Sequence, residues 1–192
     1  WPKAGLQEGD RLLLSRPLGT GVLFAAAMTG AAPPSALDTA LKQMSTSQHC
    51  LLEELLDLQI KHPDSIHATT DITGFGLLGH LGEMLRNPAL KVVLQGPAIH
   101  ALPEALRLFN KGFASSLAPA NRRAWRLLDD GSVDLQLTGI IPGSEQHQAL
   151  LELLVDPQTC GPLMISVQAD KAQRLTSQPN SVWTDIGSVQ KR

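Results

Sequence analysis

Within seven residues, Thr70-Asp71-Ile72-Thr73-Gly74-Phe75-Gly76 assembles one carboxylate, two hydroxyls and two glycines. Read physically, Asp71 ends a strand, Thr73 caps the helix that follows, and the glycines surround its first turn. The opening turn of a helix leaves backbone N–H groups unpaired and carries partial positive charge, so it is a natural seat for phosphate. Mg²⁺ usually takes one or two protein carboxylates together with substrate phosphates and water. Asp71 is therefore the candidate metal ligand. A plainer reading makes Asp71 an ordinary cap or turn acid. Gly76, Gly79 and Gly82 recur at three-residue spacing, and each interior glycine costs about 1 kcal/mol relative to alanine, roughly 2–3 kcal/mol together. A bare helix face lets another backbone or a ligand approach closely, and spacing leaves both readings open.

Other residue types offer weaker chemistry. Cys160, between Thr159 and Gly161, is a conceivable nucleophile, since exposed thiols near helix ends can be activated, but no His or Asp is placed to assist it in sequence. Cys50 lies on an apolar-rich segment and reads as a small core residue. His49, His62, His67, His80, His100 and His147 show no zinc-like spacing, and His80, on the third turn of its helix, reads as a packing or hydrogen-bonding residue. Arg122-Arg123-Ala124-Trp125-Arg126 could stack on a base, yet reads better as a solvated amphipathic helix.

Elements must position these groups. An apolar run over 10–15 reads as a buried strand ended by Pro17, and the alanine-rich stretch 22–28 as a helix stopped by Gly30. From Ser35, a candidate N-cap, to about residue 59 one long helix is expected. Leu41, Met44, Leu51, Leu52, Leu55, Leu56 and Leu58 supply its apolar stripe, and His62-Pro63-Asp64 ends it. Strands follow at 65–70, 91–94, 133–141, 163–167 and 181–189. Helices are expected at 75–86, 103–109, 121–128 (closed by Asp129-Asp130-Gly131), 146–154 and 171–175. Interleaved strands and helices point to a layered α/β or α+β domain with helices on at least one face of a mixed sheet.

Composition bounds the rest. The 192 residues, 43% hydrophobic and 18% charged, suffice for one compact core. Sixteen basic against eighteen acidic side chains give a formal charge of -2, which argues against a general nucleic-acid binder. No apolar run approaches the roughly 18 residues of a membrane span. Two cysteines exclude a disulfide scaffold and suit a reducing compartment, so a cytoplasmic location is expected. The chain opens Trp1-Pro2-Lys3, without Met or a signal-like segment, and is expected to be part of a longer protein.

Thr70-Asp71-Ile72-Thr73-Gly74-Phe75-Gly76-Leu77-Leu78-Gly79-His80 resembles the signature T-D-[VI]-T-G-F-G-L-L-G-H of selenophosphate synthetase (selenide, water dikinase). Three more stretches agree in the same order. Arg16-Pro17-Leu18-Gly19-Thr20-Gly21-Val22 is similar to K-P-L-G-T-G-[VI], Asp156-Pro157-Gln158-Thr159-Cys160-Gly161 to D-P-Q-T-S-G-G, and Ile186-Gly187-Ser188-Val189 to a closing I-G-x-V strand. The resemblance implies the C-terminal domain of a two-domain superfamily shared with aminoimidazole ribonucleotide synthetase, thiamine-monophosphate kinase and a hydrogenase maturation protein. Its fold is α+β, a three-layer α/β/α sandwich with a mixed sheet.

It further implies that an N-terminal ATP-binding domain, absent here, carries the reactive Cys or selenocysteine, its Lys and the main homodimer interface. No catalytic residue is expected in this chain. The family reaction is ATP, selenide and water to selenophosphate, AMP and phosphate, and this domain alone is expected to be inactive. Carried over by position, Asp71 helps bind Mg²⁺ at the ATP phosphates, while Thr70, Thr73, Gly74 and Gly76 shape that site. Residues 115–122 are closer to members fused behind an NADH dehydrogenase-like domain. Cys160 and Pro162 replace a serine and a glycine, and the proline removes an N–H, so the 156–162 loop reads as structural. Alternatives from the same residues are a non-catalytic assembly or ligand-sensing domain, or a thiamine-monophosphate kinase-like or hydrogenase maturation-like member.

Overall fold

The computed structural model describes residues 1–128 and 134–192. Six strands form one sheet in the order β2-β5-β1-β6-β3-β4. They are β1 (Arg11–Leu14), β2 (Ile66–Asp71), β3 (Leu90–Gln95), β4 (Leu135–Thr138), β5 (Leu163–Val167) and β6 (Thr184–Lys191). All pairings are antiparallel except β3 with β4, so the sheet is mixed. The helices are α1 (Thr20–Ala27), α2 (Pro34–Ser45), α3 (His49–Lys61), α4 (Gly76–Met84), α5 (Ala105–Asn110), α6 (Ala118–Asn121), α7 (Glu145–Val155) and α8 (Ala169–Thr176).

Side chains of a strand alternate between faces, and β1 shows the consequence. Leu12 and Leu14 enter the larger core cluster, Leu13 the smaller one behind the sheet. The larger cluster holds α1, α4, α5 and α7 through residues such as Val22, Leu77, Leu108 and Leu153. The smaller one holds α3 and α8 through Leu55, Leu58, Ala172 and Leu175. Helices therefore cover both faces, which is the three-layer α/β/α arrangement of an α+β domain. A register shift between Ile66 and Ala68 puts Ile66 in the smaller cluster and Ala68 in the larger. The bulge re-aims the rest of β2 on its way to Asp71.

Several expectations need correcting. The long helix over 35–59 is two helices, because Thr46 is extended (φ -79°, ψ 120°) and α3 starts afresh at His49. Polar contacts hold the break: the Arg16 guanidinium donates to the Thr46 carbonyl, and Gln48 joins Ser15 and the Gly161 carbonyl. Pro33, not Ser35, is the N-cap of α2, with Pro34 at its first position. Of the expected stripe, Leu55 and Leu58 are buried while Leu41, Leu52 and Leu56 stay exposed. Cys50 is exposed on the first turn of α3 instead of packed in the core. The helix expected at 121–128 is the end of α6 followed by a 3₁₀ turn, Arg122–Leu127. Its stop at Asp129-Asp130-Gly131, and Val133 at the start of the next strand, lie outside the described residues. No helix among the described residues is long and apolar enough to cross a membrane.

Candidate functional site

Three segments far apart in sequence meet around the end of β2: 16–22, 70–76 and 155–162. The 156–159 turn closes the N-terminus of α1. Gln158 Oε1 accepts from the Gly19 and Thr20 N–H groups at 3.0 and 3.3 Å, and Asp156 Oδ2 accepts from the Gly21 N–H at 2.9 Å. The Thr159 N–H donates in turn to Thr20 Oγ1 at 2.9 Å. These bonds fill donors that a helix start leaves open, so two of the sequence motifs are each other's partners. The same turn braces the third segment, because the Gln158 N–H donates to the Thr73 carbonyl and the Ile72 N–H to the Pro162 carbonyl. Pro162 thus serves through its oxygen, and its missing N–H is of no consequence here. Cys160 sits exposed at the tip with a left-handed backbone (φ 47°), its carbonyl accepting from Arg16.

Asp71 ends β2 exposed, paired with Leu163 across the antiparallel ladder. Among the described residues its carboxylate has no side-chain hydrogen bond or ion pair. Thr70 is buried beneath it, with Oγ1 donating to the Asp71 carbonyl. Thr73 is not the helix cap expected from sequence. Phe75 occupies that position without a side-chain cap bond, because Gly76 takes a left-handed backbone (φ 67°) that turns the chain into α4. Thr73 is instead held by His80, whose Nε2 accepts from the Thr73 N–H at 3.1 Å and lies 3.2 Å from Thr73 Oγ1. Gly74 is partly exposed, and its carbonyl accepts from the buried Asn121 amide, which also donates to the Val155 carbonyl. Gly76 is buried against the Val155 backbone.

The glycine spacing on α4 has a packing explanation. A Cβ at Gly79 would lie 2.7 Å from Phe75 Cβ, and one at Gly82 2.9 Å from a Leu127 methyl. Sequence reasoning missed Asn121, Gln158 and Lys3, whose roles arise only from tertiary contacts. Lys3 Nζ lies 2.6 Å from the Glu83 carboxylate and 3.3 Å from His80 Nδ1. Burial first, then the Lys3 charge, holds the His80 imidazole below the ordinary histidine range, against the opposing pull of Glu83 and Asp71. Since Nε2 accepts a backbone N–H, protonation there breaks the tether. The folded state's depressed value means this stability is present above the ordinary histidine pKa and is lost as pH falls through the folded one. His80→Phe should destabilise by about 1 kcal/mol, the loss of a hydrogen bond to a partly buried N–H. Chemical denaturation measures the loss, and a Thr73 amide whose hydrogen exchange does not speed up would contradict the tether.

Comparison with known proteins agrees with the geometry. The family model described as AIR synthase related protein, C-terminal domain, matches residues 7–192. The selenide, water dikinase of Pelobacter propionicus is 31% identical over 187 residues, covering 97% of this chain and 49% of that protein. The chain spans about half the length of the curated relatives it matches. The crystal structure of E. coli HypE, a hydrogenase maturation protein, superposes with a TM-score of 0.57 at 19% identity, over 100% of this chain and 46% of that one. The thiamine monophosphate kinase of Aquifex aeolicus gives 0.53 at 14% identity, over 99% of this chain and 50% of that one. These structural likenesses establish the fold. With a family model spanning nearly every residue and three of the four motif stretches meeting at the end of β2, the chain belongs to the AIR synthase related protein, C-terminal domain, family.

Proposed function

We propose that this chain is the C-terminal half of a selenide, water dikinase, a phosphotransferase that turns ATP, selenide and water into selenophosphate, AMP and phosphate. One observation carries the reading: an exposed Asp71 carboxylate, with no hydrogen bond or ion pair among the described residues, stands where three braced motif segments converge. The donor set suits Mg²⁺ shared with phosphate. Asp71 offers one carboxylate, and no group of three or more His, Cys, Asp or Glu residues that could hold a metal occurs among the described residues. Mg²⁺ takes few protein ligands and completes its shell with phosphate oxygens and water. When bound, the ion would neutralise phosphate charge during transfer. Asp71 would hold it, and Thr70, Thr73, Gly74 and Gly76 would shape the phosphate-metal site around it.

The remaining groups belong to the proposed N-terminal ATP-binding half, with which this chain would form a cytoplasmic homodimer; the isolated domain is expected to be inactive. The exposed α3 side chains Leu52, Leu56 and Ile60, spaced at one helical turn, support an assembly role for that face. The test uses the full-length protein with both halves. ATP- and selenide-dependent AMP formation should fall about 100-fold or more in Asp71→Ala, while folding stability changes by no more than about 0.5 kcal/mol because the side chain is exposed. Undiminished activity would refute the metal role.

A further inference from the structure

A second site stands on the outer side of α4. A cavity of about 340 Å³ opens between α4 and the Arg122–Leu127 turn, a size at the lower end of the roughly 300–1,000 Å³ typical of small-molecule sites. Its apolar wall includes Phe75, half of whose surface is exposed (52%). Arg86, Arg123 and Arg126 also line it. Of the other six arginines, four are ion-paired, Arg11 with Asp185, Arg107 with Glu104, Arg122 with Glu152 and Arg192 with Asp134, while Arg16 donates to the Cys160 and Thr46 carbonyls and Arg174 lies against the His62 imidazole. The three cavity arginines form no salt bridge among the described residues, although the Arg86 charge, after Lys3, helps hold the Glu83 carboxyl below its ordinary range. Arg86 donates only through Nε to the Glu83 carbonyl. Glu83, the acid on this wall, is ion-paired to Lys3 at 2.6 Å.

The three-residue period of the 3₁₀ turn sorts its side chains. Arg122 and Trp125 face inward, the guanidinium 5.7 Å from the indole centroid and the indole N–H donating to the Leu151 carbonyl. Arg123 and Arg126 are left to the cavity. With its ring and N–H engaged, Trp125 is not a platform for stacking bases along an extended strand, which favours a ligand that fits inside the cavity.

We propose that this cavity binds a small phosphate monoester bearing a flat ring, of mononucleotide size, its phosphate met by Arg86, Arg123 and Arg126 and its ring lying along Phe75. Arginine suits this role because its planar fork of donors matches phosphate oxygens. The site is independent of the metal role of Asp71.

Isothermal titration of the 192-residue chain with AMP, inorganic phosphate and adenosine, at low ionic strength in EDTA, tests it. AMP should bind saturably at one site and more tightly than either fragment. Arg123→Gln with Arg126→Gln should weaken it at least tenfold. Ala124→Phe, which fills the cavity and keeps every charge, should do the same, with circular dichroism confirming that each variant is folded. Affinity unchanged in the exposed double-glutamine variant overturns the proposal even if Ala124→Phe misfolds. So does binding that appears only when Mg²⁺ is added, which would belong to the Asp71 site. A single-stranded oligonucleotide that outcompetes AMP with the same arginine dependence would reveal an extended nucleic-acid surface instead.

Discussion

Gly76→Ala should destabilise the domain by roughly 2–5 kcal/mol, from two additive causes. A left-handed backbone, here at φ 67°, costs an L-residue roughly 1–2 kcal/mol. The new Cβ would also stand 2.7–2.9 Å from backbone atoms of Val155, and overpacking of this kind adds about 1–3 kcal/mol. Backbone atoms at the end of α7 cannot rotate out of the way as a side chain would. Two further glycines separate the causes. Gly30 shares the left-handed backbone (φ 73°) with nothing within 4 Å of a Cβ, so Gly30→Ala should show the conformational part alone. Gly74 has neither a left-handed backbone nor a close neighbour, so Gly74→Ala should be nearly neutral. Urea denaturation of the three variants should rank them in that order. Equal losses at Gly76 and Gly30 would remove the packing argument.

The contribution of Asp156 to stability should fall as pH rises between about 4 and about 7, opposite in sign to that of His80. Burial, outweighing hydrogen bonds from Val22, Gln158 and Gly21, pushes its carboxyl from 3.8 up to about 7. The folded state then holds a proton that the unfolded chain has released, so this contribution is greatest below the unfolded value and declines until pH passes the folded one. A shift of that size corresponds to about 4 kcal/mol at about 1.4 kcal/mol per unit. The geometry agrees. Oδ2 accepts from the Gly21 N–H and from Gln158 Nε2, both at 2.9 Å, while the buried Oδ1 has no partner among the described residues and can carry the proton. Asp156→Asn keeps the acceptor without the charge and should flatten this arm of the stability curve, gaining on the natural chain above pH 7. Asp156→Ala removes the acceptor for the start of α1 and should lose stability at every pH. Parallel pH profiles for the natural chain and Asp156→Asn would show that the carboxyl is ionised throughout.

Much of the fold could be read before any coordinates. The apolar runs over 10–15 and 163–167 signal buried strands, and β1 and β5 lie where those runs put them. The long helix failed for a reason that local periodicity does not carry. Residues 35–59 have helical character throughout, yet Thr46 and Gln48 make bonds to Arg16, Ser15 and Gly161, partners between 30 and 113 residues away. Tertiary hydrogen bonds outweighed helix propensity there. Thr73 shows the same thing on a smaller scale. A threonine before a glycine-rich turn is a reasonable cap by type, but the left-handed Gly76 moves the helix start beyond its reach and leaves Thr73 to His80.

By itself, the sequence determined a layered architecture of α/β or α+β type, the placement of Asp71 at the end of a strand and the motifs whose resemblance narrows the fold to α+β, because these depend on residue type, short-range period and order along the chain. Only the tertiary structure decided that the 156–159 turn caps α1 and steadies the Thr73 loop, that Asn121 ties Gly74 to the end of α7, and that Arg123 and Arg126 face a cavity while their neighbours turn inward. Each of these joins groups that are distant along the chain or separates groups that are adjacent in it, and only the packed geometry sets such distances.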